Sequence, residues 1–169
     1  MGLLRYLVGL VAALALHVVG TWLVPSMPRF FDPFLVLVVV NALGASGAGG
    51  LLGGTGAGLV HDSLSGRLYG LHGFADTIVG YAVARAAQWL DLTGAGAVLV
   101  TTALATLLEE TLLVLVVLLF TDPEPPEPAW MLLQAAVNGT AAMVLVAASG
   151  RLRRAREGAL RRRSSKIRL

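Results

Sequence analysis

Residues 1–150 of the chain are a series of long apolar runs separated by short breaks rich in glycine, proline or charge. The first run, residues 3–24, is long enough to cross a hydrocarbon core of about 30 Å at 1.5 Å per residue. Arg5 stands at its start and Trp22 at its far end, where an interfacial anchor belongs. A signal peptide is the competing reading, but the run is too long for its apolar core and no small-residue cleavage site follows. Pro25 and Pro28 end the helix. Asp32 followed by Pro33 predicts a new helix start, a capping carboxylate and then proline at the first position. Residues 34–43 are strongly apolar, yet ten residues reach only about 15 Å. A glycine-rich stretch, residues 44–50, leads into a further apolar run to about Val60. One helix over residues 34–62 would be about 43 Å long, too long without strong tilt. The reading therefore divides it into helices over 33–44 and 47–62, turning near Ser46, with a single helix as the alternative. Further spans follow over 71–90, 96–120 and 130–149. An acidic, proline-rich linker, 121–129, carries Asp122, Glu124 and Glu127 and lies outside the hydrocarbon. Gly150 is the expected C-cap of the last span.

Composition fixes the class. The chain is 56% hydrophobic and 14% charged, against about 25% charged in a soluble domain. Mean hydropathy is +0.77. A soluble or disordered protein is excluded, and the 20 glycines show no collagen period. With no cysteine, disulfides, thiolate metal sites and cysteine nucleophiles are absent. The predicted fold class is all-α, a polytopic membrane bundle of six helices over residues 1–150. The net charge of +3 is an average over two unlike parts. Residues 1–150 hold four basic and nine acidic residues, and residues 151–169 hold nine basic residues and Glu157. Lys and Arg stay on the cytoplasmic side, so this basic tail predicts both termini inside, with Arg5 and Arg85 inside and Arg29 and Arg67 outside. The tail can also touch anionic lipid, and no nucleic-acid recognition fold fits in it.

Two sets of residues are candidates for function. Gly50, Gly54 and Gly58 repeat at four-residue spacing, and Gly49, Gly53 and Ala57 form an adjacent ridge. Such rows let a neighbouring helix approach closely, either within the bundle or in a groove for a partner's transmembrane helix. Ionisable groups at membrane depth are costly and need a partner or water. His17, Asp76, Arg85, Glu109 and Glu110 are these groups. Adjacent glutamates point about 100° apart. The expectation is that one meets Arg85 or His17 while the other is protonated or faces a wet cavity. A structural polar core and a ligand cavity both remain open. No metal or cofactor is expected, since His61 and Asp62 diverge on a helix and His72 is across a turn. No nucleotide loop or serine-hydrolase elbow occurs, so no enzyme is expected. The sequon at Asn138 lies inside a span and is discounted.

Residues Gly58, Leu59, His61, Asp62, Ser65, Gly66, Gly70, His72 and Gly73, with Asp32, Pro33, Phe34 and Leu35 before them and Gly80 and Tyr81 after, form a pattern. It resembles that of the rod shape-determining protein MreD family. In physical terms the stretch is a re-entry turn. Asp62 and Ser65 can bond freed backbone, and Gly66 and Gly70 permit left-handed geometry. The resemblance implies a fold similar to the substrate-binding subunit of energy-coupling-factor transporters. It also implies a non-enzymatic inner-membrane subunit of the machinery for peptidoglycan synthesis in cell elongation. The implied partners are MreC, MreB filaments, RodA and penicillin-binding protein 2, with the MreC transmembrane helix docked in a groove of small residues. The alternative is a vitamin-transporter subunit, against which the missing A-x-x-x-A motif on the first span counts. A proton-coupled carrier rests only on Glu109 and Glu110.

Overall fold

The computed structural model describes residues 2–66, 68–92, 94–120 and 127–166. Arg67, residues 121–126 of the acidic linker and the last three residues lie outside this description. The described residues form six helices and one 3-10 turn, with no strand among them. The helices are α1 (Leu3–Leu23), α2 (Pro33–Ala42), α3 (Gly47–Ser65), α4 (Leu71–Trp89), α5 (Ala95–Phe120) and α6 (Pro128–Lys166), and the 3-10 turn is Met27–Arg29. Three of them are long and apolar enough to cross a membrane: α1, α5 over Ala95–Leu119 and α6 over Pro128–Arg151.

The chain does break between α2 and α3, which disposes of the single long helix. Ser46 caps α3 by accepting from the Gly49 N–H at 3.2 Å. Asp32 caps α2, its Oδ1 accepting from the N–H groups of Phe34 at 2.8 Å and Leu35 at 3.2 Å. The turn from α3 to α4 uses Gly66 at φ 61° and Gly70 at φ 96°, a left-handed conformation that favours glycine. Gly150 does not end the last helix, which runs on to Lys166. A glycine inside a helix costs only about 1 kcal/mol relative to alanine, and the Leu, Arg and Ala that follow are strong helix formers.

Helix α2 is the axis of the bundle. Nine of its ten residues are buried, as fits a helix that is apolar on every side. It packs against α1, α3, α4, α5 and α6. Its residues Leu35, Val38, Val39 and Ala42 share a core with Ala57, Val79, Val83, Ala84 and Ala105. Around this axis stand two walls. Helices α1 and α3 form one and the α5–α6 hairpin the other, and among the described residues neither α1 nor α3 touches α5 or α6. Helix α4 packs closely on α3 and also meets α5.

The α3–α4 contact consumes the glycine row. An added Cβ on Gly50 would strike the Gly80 carbonyl oxygen, on Gly54 the Asp76 carbonyl oxygen, and on Gly58 the His72 carbonyl oxygen. Gly53 of the second ridge faces Asn41 and Tyr6, and Gly49 faces Ala45 and Ser46 of its own chain turn. At Gly50, Gly54 and Gly58 the expected partner groove is therefore corrected: four-residue spacing builds a close backbone seam, and α4 occupies it, while Gly53 is taken up by α1 and α2 and Gly49 meets only its own turn.

Candidate functional site

A helix of ten residues that starts inside the bundle must satisfy its first N–H groups without water. The Asp32 cap does part of this. The Asp32 N–H donates to Asn138 Oδ1 at 2.9 Å, and Asn138 Nδ2 donates to Thr106 Oγ1 at 3.2 Å. Asn138, Thr102 and Thr106 are fully buried. A polar seam thus links α2, α5 and α6.

Asp62 performs the same service for α4. Its Oδ2 accepts from the N–H groups of Gly70 and Gly73, each at 2.9 Å, and its Oδ1 accepts from the His72 N–H at 3.0 Å. His72 Nδ1 also lies 2.9 Å from Oδ1. A carboxylate near the last turn of α3 thereby caps the neighbouring helix, where the helix dipole favours a negative charge. Ser65 donates to the Asp62 carbonyl at 3.2 Å. The freed groups that Asp62 satisfies are the first amides of α4, while Ser65 bonds backbone at the end of α3.

This turn carries His72 back onto His61. Their ring centroids are 4.0 Å apart, and His17 meets His61 edge-on at 5.1 Å. Phe34 stacks on His61 at 4.9 Å. All three histidines of the chain thus meet, with His72 brought onto His61 across the turn. His61 Nδ1 lies 3.5 Å from Asp32 Oδ2. Neither His17 Nδ1 nor His61 Nδ1 has a hydrogen-bond partner among the described residues. No group of three or more His, Asp or Glu among the described residues is arranged to hold a metal ion.

The histidines line a cleft of about 980 Å³ between the two walls. His17 and Thr21 come from α1, His61 and Ser65 from α3, Glu110 from α5 and Gln134 from α6. Asp32 also lines it, with Arg29, Glu127 and Trp130. Asp76 and Glu109 lie apart from it. They are 0% and 1% exposed, their carboxyls interact between α4 and α5, and none of the four oxygens has a hydrogen-bond partner among the described residues. Two carboxyls so placed attract only with a proton between them. Glu109 therefore meets Asp76 rather than Arg85 or His17. Arg85 is exposed and donates to Gln88 at 2.6 Å, with Trp89 nearby. Gln134, Thr102 and Thr106 and the bridging role of Asn138 are not marked by ionisable groups; an amide within an apolar run is a signal of the same kind.

A buried turn motif, a short second helix with its acidic cap, and a glycine seam between the third and fourth helices characterise the chain as a whole. The family model for the rod shape-determining protein MreD matches residues 1–147. The chain belongs to the MreD family. No curated protein and no solved structure matches it. Membership of the MreD family brings a role in determining rod shape. With three helices long and apolar enough to cross a membrane, this MreD family member is a multi-pass membrane protein.

Proposed function

We propose that this protein is a non-enzymatic scaffold of the cell-elongation complex in the bacterial inner membrane. On this reading it crosses the membrane six times with both termini inside, and the cleft opens outward. It holds the single transmembrane helix of MreC and so orients the outer domain of MreC. That places it beside RodA, penicillin-binding protein 2 and MreB filaments in support of peptidoglycan synthesis. The basic tail lies against anionic lipid on the inner face.

The observation that carries the docking role is an open, nearly flat face of small and apolar residues along one side of α6. It is lined by Ala136, Thr140, Ala141, Val144, Leu145 and Ala148. Small residues at such a surface let a second helix approach, and van der Waals packing then supplies the association. With the α3 glycines used inside the bundle, this face takes over the role expected of them. Deletion of the protein is expected to abolish rod shape and the recruitment of MreC. Thr140 is exposed on this face, so Thr140→Trp obstructs close approach there without disturbing the core. Co-purification of MreC with the tagged variant is expected to fall at least tenfold. Undiminished MreC recovery with Thr140→Trp would remove α6 as the docking face, and rod cells after deletion would remove the scaffold role.

A further inference from the structure

The cleft has features that partner docking on α6 does not use. It is lined by side chains of α1, α3, α4, α5 and α6 together with Asp32 at the start of α2. A volume of about 980 Å³ is at the upper end of the range of small-molecule sites, about 300–1,000 Å³. His17 and His61 line it, each 7% exposed. Each keeps a ring nitrogen without a partner. Buried polar atoms in native proteins are normally satisfied, by protein, water or ligand.

Charge selects among guests. The carboxylates of Asp32 and Glu127 line the cleft, and among the described residues Arg29 is the one Arg or Lys in the lining. An anion would meet more repulsion than attraction. Asp32 uses Oδ1 on the amides of Phe34 and Leu35, while Oδ2 faces His61 Nδ1 at 3.5 Å, too far for a good hydrogen bond. A group carrying several N–H donors and a positive charge can engage both. Trp130 also lines the cleft, and an indole is the aromatic side chain that attracts a cation best.

We propose that this cleft binds a protonated primary amine, with Asp32 as counter-charge and His17 and His61 as hydrogen-bond acceptors. The amine reaches it either free in solution or as the headgroup of an aminophospholipid. The second route is open because α1 and α6 flank the cleft without touching each other. The inference stands on the cleft alone and is independent of how MreC is held.

The test uses the full chain in phosphatidylcholine nanodiscs. Ethanolamine, putrescine and, as the anionic control, acetate are titrated while the thermal unfolding midpoint is followed. A second set of discs contains phosphatidylethanolamine and no added amine. The expected result is a saturable rise in midpoint with ethanolamine or putrescine and none with acetate. Asp32→Asn keeps the helix cap, since Asn caps as well as Asp, and is expected to weaken the response at least tenfold. Glu127 lies exposed and outside every helix, so Glu127→Gln reads the same charge dependence without touching the fold and is expected to weaken it about threefold. Arg29→Gln is expected to strengthen it. A rise confined to the phosphatidylethanolamine discs, and lost in Asp32→Asn, assigns the amine to the lipid headgroup. No response in either arm, an equal response to acetate, or a response unchanged in both carboxylate variants overturns the proposal.

Discussion

Asp62 accepts three backbone N–H groups and faces one imidazole, and so carries more of the fold than its single charge suggests. Removing it orphans several donors, most of them buried, each worth about 1–3 kcal/mol. Asp62→Ala is therefore expected to cost at least about 3 kcal/mol in detergent unfolding. His72→Gln removes one contact and leaves the three backbone bonds, so its expected cost is nearer about 1 kcal/mol. Equal losses would show that the carboxylate acts mainly through the imidazole. Asp76 gives a second contrast. Asp76→Asn keeps a donor facing Glu109, whereas Asp76→Ala leaves a buried carboxyl alone and is expected to lower stability by about 2–3 kcal/mol more. Individual chemistry of this kind was half legible in the sequence. The presence of His17, Asp76 and Glu109 within apolar runs could be read from the residues around them, and that of Asp62 from the turn motif. Their partners could not, because a helix position gives a depth and a bearing but not the helix it faces.

Helices in this chain were easier to place than their contacts. The break at Ser46 followed from length against membrane thickness, and the start of α2 from Asp32 and Pro33. The extension of α6 beyond Gly150 did not, because one glycine is a weak stop when strong helix formers follow. The Gly50, Gly54 and Gly58 row announced a close approach but not its occupant. That occupant makes a sharp prediction. Gly54→Ala sets a methyl group against the Asp76 backbone and is expected to destabilise the bundle by about 1–3 kcal/mol. Gly96 of α5 has nothing within 4 Å of an added Cβ. Gly96→Ala is expected to be neutral or to add up to about 1 kcal/mol. Thermal unfolding of the two variants side by side checks the pair, and a tolerant Gly54 would mean that the α3–α4 seam is looser than the structure has it.

At the scale of the molecule, the bundle is two walls on a short axis, and its orientation in the membrane is open to direct test. The absence of cysteine makes single-cysteine labelling clean. Under the six-span reading, Ser46→Cys is expected to label only from the inside and Tyr69→Cys only from the outside. Labelling of both from one side would overturn that topology. Hydrophobic class and family were legible from sequence because they depend on composition and on a compact local motif. The cleft was not, since it is assembled from six separate segments between residues 17 and 134. One wall of that cleft is also the longest object in the protein. From Gln134 at the cleft to Lys166, α6 continues without interruption, a rod of about 48 Å at 1.5 Å per residue. Such a rod works as a lever. A tilt of about 10° at its cleft end sweeps the far end, where the arginines are, through about 8 Å.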